Sequence, residues 1–389
     1  MRILYIVHDV NDAAVKRRVS MLSQGGAEVT VLGFYRGKKP SDDTLPCPMH
    51  LLGETFDASF MHRVLKVVVT TTQLKRHLSN TYGKFDLIIA RNLDMLAIGR
   101  KARRLLNLPL VYECLDIHRF LISPNVIGKL FRKLEAWLCQ PVALLITSSQ
   151  GFIDNYFNPL SKTDLPNLIL ENKVFSSQEL PTPCHKEFDK NRIVITWNGA
   201  IRCRQSLEIL SDVTRRLDGR VKVTIWGKPA YTEFDDFDAL VAKEPHIDFH
   251  GAYRFPEDLA KIYQGADFNW ALDFFEQGGN SEWLLPNRIY EGGLFNVPAL
   301  CRASTFTAHT LSGLGIGTAL NGHYADCLES FLSRLTQHDY TQLREQMQSI
   351  PRSRWVYDQH QSRELVNMLA DVAFQPKGVQ LETYSRVSK

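Results

Sequence analysis

Short uninterrupted apolar runs alternate along the chain with longer stretches in which apolar residues recur every three or four positions. Ile3–Val7 is the first run, as expected of a parallel strand buried on both faces. Asp12 to Gln24 carries Val15, Val19 and Leu22 at helical spacing and stops at Gly25-Gly26. Ala27–Gly33 reads as a second strand, and strand, helix and strand within about thirty residues make a βαβ unit. The alternation continues through a short strand at His50–Leu52, an amphipathic helix over roughly 58–80, a strand at Asp86–Ala90 and a helix at Leu93–Leu106. A strand begins at Leu110 and runs toward His118; a helix at Gly128–Cys139 and a strand at Leu144–Ser149 follow. The proline-rich stretch 155–183 holds the last strand of the first domain, near Leu168–Asn172, and the linker.

The pattern then restarts. Arg192 opens a strand that ends in a glycine turn at Gly199, and a helix spans Gln205–Leu217. Strands are expected at Val221–Gly227, His246–Gly251, Asp267–Leu272 and Ala299–Cys301, with a helix at Pro256–Gly265 and a flexible loop at Glu276–Asn280. Another helix starts at Pro286, where the missing N–H costs little. The tail, Leu328 to Val372, is helical with a break at Pro351. The reading is therefore α/β, with an N-terminal domain at 1–183 and a C-terminal domain at 184–372, whose last helices are free to return to domain one. Residues 373–389 form a loose polar tail. At 389 residues and 44 % apolar content the chain can bury two cores, since a domain takes about 150 residues.

Charge sharpens the division. Residues 1–180 hold 23 Lys/Arg against 16 Asp/Glu, and the remainder 23 against 26, so a basic first half of +7 precedes an acidic second half of −3. The first half is thus expected to meet something anionic. The 58–80 helix places Arg63, Lys66, Lys75, Arg76 and His77 beside Met61, Leu65, Val68 and Leu74, and Arg100–Arg104 adds a basic cluster. A solvated face and a surface dipping into anionic headgroups both fit that pattern. Seven scattered cysteines without Cys-x-x-Cys read as reduced thiols of a cytoplasmic protein and imply no zinc site. The N-terminus is too quickly charged for a signal peptide, and no run approaches the ~18 apolar residues of a membrane span. No Gly-x-Gly-x-x-Gly follows the first strand, which weighs against a nicotinamide or flavin domain. The small net charge and the lack of an aromatic-interleaved basic stripe weigh against nucleic acid.

Two places carry candidate chemistry. In the first half Glu113, Asp116 and His118 collect at a strand end, where ligands gather in open α/β sheets; pairing with nearby basic residues is the plainer explanation. In the second half Glu291 is a lone carboxylate on a short helix whose N-terminus can receive an anion. An acid that accepts two sugar hydroxyls, beside amides that bind phosphate, is what a nucleotide-sugar site needs. An ordinary exposed Glu on a surface helix is the alternative.

The motif Pro286-Asn-Arg-Ile-Tyr-Glu291, followed by Gly-Gly-Leu-Phe-Asn-Val-Pro-Ala-Leu300, resembles the donor-site signature of GT-B glycosyltransferases, nearest to the family 4-like group that builds bacterial surface polysaccharides. Asp12, Val15 and Arg17 before Gly and Val-Thr-Val-Leu also resemble the opening of these enzymes. The resemblance implies two Rossmann-like domains facing each other across a cleft, an acceptor domain first and a donor domain second. It implies that Glu291 holds the ribose of a nucleotide diphosphate sugar, with Asn287 and Arg288 beside it; Arg288 replaces the usual Lys. Trp283 stands where the family often has a second Glu. Gly199 would let backbone approach the diphosphate, Arg202 or Arg204 would neutralise it, and Tyr253 or Arg254 would select the base.

The implied reaction is metal-independent, hexosyltransferase-like transfer to a lipid-linked or saccharide acceptor, without a cofactor, with Arg202, Arg204, Arg288 and helix N-termini taking the place of a divalent ion. If the reaction inverts the anomeric centre it needs a base, Asp116 first and His118 second; if it retains configuration it needs none. A nucleotide-sugar epimerase on the same fold and a silent sugar-nucleotide-binding scaffold are the alternatives. The implied location is the cytoplasm, with peripheral contact to an anionic inner membrane through domain one.

Overall fold

The computed structural model describes residues 1–56, 60–79, 84–176, 179–183 and 186–374, with side chains of the helix Phe60–Ser79 described from Arg63 onward. The chain divides into two compact units, Met1–Glu171 together with the chain from Tyr357 onward, and Asn172–Val356. The division thus falls at 171/172, ahead of the 183/184 boundary read from the prolines, and again at 356/357. Residues 172–183 join the second unit because Val174 forms a parallel bridge with Val356 and Lys173 Nζ donates to the Ser353 carbonyl at 2.8 Å. Most of the polar tail, from 375, lies outside the described residues, as do 57–59 at the start of the expected 58–80 helix and Asn80 at its end.

Seven strands build the first unit: β1 Arg2–Val7, β2 Glu28–Tyr35, β3 Met49–Glu54, β4 Leu87–Arg91, β5 Leu110–Cys114, β6 Val142–Thr147 and β7 Asn167–Ile169. They pair in parallel in the order β3-β2-β1-β4-β5-β6-β7. Ile3 to Val7 are fully buried, which is why their run shows no polar alternation. The last helix, Gln359–Phe374, returns to pack on Ala13–Gln24. A Cβ at Gly25 would lie 2.3 Å from the Ser362 carbonyl, so the glycine that ends the first helix also lets the last one approach.

The second unit contains β8 Ile193–Ile201, β9 Val221–Pro229, β10 Ile247–Phe249, β11 Phe268–Trp270, β12 Ala299–Arg302 and β13 Thr318–Leu320. The order is β10-β9-β8-β11-β12-β13, again parallel. Both sheets therefore reverse direction beside their first strand, and the carboxyl ends at that switch point are where such sheets receive ligands.

Several expectations change. The strand expected to turn at Gly199 continues to Ile201, because β8 stays paired with β9 through Gly199 opposite Gly227. Backbone proximity there is extreme: a Cβ on Gly227 would lie 1.9 Å from the Gly199 carbonyl oxygen. The helix expected at Pro256–Gly265 is regular only over Leu259–Tyr263. The loop expected to be flexible, Glu276–Asn280, is tied down: Asn280 Nδ2 donates to Glu276 Oε2 at 2.6 Å, and the Gly278 N–H donates to Glu282 at 3.0 Å. In the basic helix Phe60–Ser79, Leu74 is buried while Leu65 and Val68 are exposed.

Candidate functional site

Helix Asn287–Leu294 starts directly after Pro286, and Ile289 through Leu294 are all buried. Glu291 is only 4 % exposed, so it is not the ordinary surface glutamate that the spacing left open. A buried carboxylate needs donors. Asn198 Nδ2, near the carboxyl end of β8, donates to Glu291 Oε2 at 2.7 Å, and the Tyr263 hydroxyl lies 3.1 Å from the same oxygen and 2.7 Å from Asn198 Oδ1. Gly292 and Gly293 permit the close seating: a Cβ on the first would meet Asn269 Nδ2 at 2.7 Å, and on the second the Trp355 ring at 2.3 Å. Asn269 Nδ2 in turn donates to the Arg288 carbonyl at 2.5 Å, fixing the first turn of the helix to β11.

The other expected donor-side residues distribute unevenly around this centre. Asn287 is exposed at the first position of the helix. Arg288 is half-buried, and its Nη1 is buried without a hydrogen bond. Gly199, with φ +112°, has open space where a Cβ would be. Arg202 lies 3.7 Å from Asp273 Oδ2 and 4.5 Å above the Phe275 ring. Arg204 instead turns to Asp235, 2.9 Å away. The Tyr253 hydroxyl comes within 3.5 Å of Asn198 Nδ2, joining the Glu291 cluster, whereas Arg254 is largely exposed and bound to Asp258.

Sequence reasoning overlooked Asn198, Tyr263 and Asp273. Asp273, just past β11, is buried and accepts from the Ser281 hydroxyl at 3.1 Å. A polar residue where an apolar strand run ends, as in Thr196-Trp-Asn198, was the available signal. Trp283, standing where the resembled family often has a second Glu, belongs to the short helix Asn280–Trp283. The neighbouring Glu282 pairs with Arg302 at 3.2 Å.

In the first unit the group Glu113, Asp116 and His118 separates. Glu113 is fully buried, paired with Arg18 Nε at 2.6 Å and Arg91 Nη1 at 3.3 Å, and it accepts from the Tyr5 hydroxyl. Burial pushes its pKa up, but the two guanidiniums and the Tyr5 bond outweigh this and hold it below the usual value. It is a structural ion pair under the sheet end.

Asp116 and His118 do come together, lining a cavity of about 430 Å³ with His8, Arg36, Arg63 and Asp94. Val64, Val67, Val68, Phe131 and Leu134 supply its apolar side. His118 caps a short helix, its Nδ1 accepting from the Phe120 N–H at 3.3 Å, and its pKa is lowered chiefly by burial and by Arg63. His8, just past β1, and Asp94, just past β4, place this cavity at the switch point of the first sheet. Among the described residues no group of three or more His, Cys, Asp or Glu is placed to hold a metal ion, and every cysteine is free.

No protein-family model matches the chain. The succinoglycan biosynthesis protein ExoL of Rhizobium meliloti is 41 % identical over 385 residues, covering 96 % of this chain and 94 % of that protein. Among solved structures, Anabaena HepE in complex with UDP and glucose has a TM-score of 0.65 at 16 % identity, covering 95 % of this chain and 99 % of that one. Sucrose-phosphate synthase from Thermosynechococcus elongatus has a TM-score of 0.72 at 12 % identity, covering 96 % and 99 %. Likeness at these identities establishes the fold, a pair of Rossmann-like α/β units of the GT-B kind.

Proposed function

The chain belongs to the family of the succinoglycan biosynthesis protein ExoL, and from that membership we propose that it is a glycosyltransferase of bacterial surface polysaccharide assembly. It moves a sugar from a nucleotide diphosphate sugar to a lipid-linked or saccharide acceptor. The observation that carries this reading is the buried Glu291, held by Asn198 and Tyr263 at the switch point of the second sheet. A fixed carboxylate there suits the two hydroxyls of a ribose. Beside it, the unpartnered Nη1 of Arg288 is a cation awaiting an anion. Arg202 and, if released from Asp235, Arg204 add positive charge for the diphosphate, and the open face of Gly199 admits it. These groups stabilise the charge that develops on the leaving diphosphate, so transfer needs no divalent ion. Asn287 lies at the same helix start, and Tyr253, with Arg254 outside it, faces the base. HepE was crystallised with UDP and glucose, which fits a donor of this class. The donor sugar is a hexose in this reading.

The first unit takes the acceptor, in the cavity that contains Asp116 and His118. Peripheral attachment to an anionic membrane completes the reading. Helix Val126–Cys139 exposes Val126, Ile127, Leu130, Leu134 and Trp137, while its one acidic residue, Glu135, points inward to Tyr156 and Ser161. Exposed Lys129 and Lys133 lie along the same helix, the composition of a segment that rests in a lipid interface. No helix among the described residues is long and apolar enough to cross a membrane.

The test is thermal stability of the full chain against UDP, GDP, ADP and their glucose conjugates, with and without EDTA. Stabilisation by one nucleotide that EDTA does not remove is expected. No shift with any of them rejects the donor site, and donor turnover without transfer to an acceptor favours the epimerase.

A further inference from the structure

Several arginines of the first unit are matched to partners within it. Arg18 and Arg91 meet Glu113, and Arg132 donates to the Leu121 and Ser123 carbonyls at 2.6 and 2.9 Å. Arg63 differs. It is half-buried on helix Phe60–Ser79 and lines the cavity that holds Asp116 and His118, yet among the described residues it forms no ion pair and no hydrogen bond. Only its Nε is enclosed by protein, so the two terminal nitrogens are left to face the cavity. The acids of the cavity do not neutralise it: Asp94 Oδ1 accepts the Met95 N–H at 3.1 Å, and Asp116 is exposed. A small recess adjoins this end of the cavity, lined by Arg63, Arg36 and Thr55, and the hydroxyl of the buried Thr55 makes no hydrogen bond either. A guanidinium withdrawn from water without a counter-ion carries a desolvation cost that an anion offsets.

We propose that Arg63 recognises the acceptor by pairing with an anionic group that the acceptor carries, a phosphate or a carboxylate. This rests on the glycosyltransferase reading, and it narrows the acceptor from any saccharide to a charged one. The planar fork of the guanidinium matches two oxygens of one such group. Val64, Val67 and Val68 follow on the same helix, and Phe131 and Leu134 add to the apolar side that covers the uncharged remainder. The volume of about 430 Å³ suits a small-molecule site. The charge of Arg63 is felt within the cavity, since after burial it is the largest cause that lowers the His118 pKa. His118 is thereby kept neutral, with its Nδ1 taken by the Phe120 N–H and its Nε2 proton available to an acceptor hydroxyl.

The test is calorimetric titration of the full-length chain with two charged probes and their uncharged counterparts. These are geranyl phosphate against geraniol, and glucuronate against glucose. Whichever of UDP, GDP and ADP stabilises the chain is kept saturating, so that the cations of the donor site are occupied. At least one charged probe should bind about ten- to hundredfold more tightly than its counterpart, as charged hydrogen bonds imply. Arg63→Gln should remove that preference and leave the uncharged probes unchanged, whereas damage to the fold would weaken all four alike. Arg63→Lys should restore part of it, because the charge returns without the fork. Preference for geranyl phosphate assigns the anion to a lipid phosphate, and preference for glucuronate assigns it to an acidic sugar. Equal binding of charged and uncharged probes, or a preference that survives Arg63→Gln, overturns the assignment. A wild-type chain that none of the three nucleotides stabilises defeats the transferase reading, and the acceptor role of Arg63 with it. Nucleotide binding without charge-selective binding defeats the Arg63 assignment alone.

Discussion

Glu291 offers the sharpest perturbation, because its two roles separate by substitution. In Glu291→Ala the Asn198 amide loses its 2.7 Å acceptor and keeps only a 3.5 Å approach to the Tyr253 hydroxyl, whereas the Tyr263 hydroxyl keeps an acceptor in Asn198 Oδ1. A buried donor left without a well-placed partner costs about 1–3 kcal/mol. For a unit of this size each kcal/mol lowers Tm by roughly 2–4 °C. Loss of binding by the alanine variant is therefore mixed with loss of stability. Glu291→Gln keeps a carbonyl oxygen where Oε2 now faces Asn198 and Tyr263, and should cost less than about 1 kcal/mol. It removes the negative charge and one acceptor from the ribose side. Charged hydrogen bonds are worth about 1.5–3 kcal/mol each. A net loss of about 2–3 kcal/mol, roughly 30- to 150-fold in Kd, is expected for the nucleotide diphosphate identified in the thermal screen. Isothermal titration calorimetry on both variants, with Tm measured in parallel, makes the comparison. Binding by Glu291→Gln within about threefold of wild type would refute the ribose role, and an unchanged Tm in Glu291→Ala would refute the buried hydrogen bonding.

Glu113→Gln should destabilise the first unit by about 3–5 kcal/mol in urea unfolding, because it leaves Arg18 and Arg91 buried without their carboxylate; a change under about 1 kcal/mol would contradict the ion-pair assignment. Since the folded pKa of Glu113 lies below its ordinary value of 4.5, its stabilisation is present above that pH and is lost as the pH falls toward the folded pKa; the wild type should lose stability through this window faster than the variant. Gly227→Ala should abolish folding of the second unit, since the new Cβ would stand 1.9 Å from the Gly199 carbonyl oxygen, while Gly199→Ala meets open space and should cost only about 1–2 kcal/mol of backbone strain. Circular dichroism melts distinguish them, and equal Tm values would show that β8 and β9 do not approach as described. Replacing Leu130 and Trp137 by Ser together with Lys129 and Lys133 by Gln should reduce co-sedimentation with phosphatidylglycerol vesicles. Neutralising Arg63, Lys66, Arg103 and Arg104 should weaken it further at low salt. Unchanged sedimentation in both would remove the membrane contact.

The period of the apolar residues decided most of what could be read in advance. Continuous runs such as Ile3–Val7 predict strands covered on both faces, and the regular return of helical stretches between them predicts parallel sheets. The Pro286–Glu291 motif pointed to a donor site because its residues are adjacent in the chain. What the sequence left open depends on partners far apart in it. Glu113 and Asp116 look alike as a pair of acids after a strand; only Arg18, 95 residues earlier, and Arg91 make the first a buried structural charge. Glu291 reads as surface or site with equal ease until Asn198, 93 residues away, is found bonded to it. The proline signal misplaced the unit boundary, because a single parallel bridge between Val174 and Val356 outweighs local turn propensity. Local pattern determines which elements form, since it reflects burial of each element's own faces. The chemistry of the site depends on which strand ends the sheet order brings side by side, and that is a property of the whole fold.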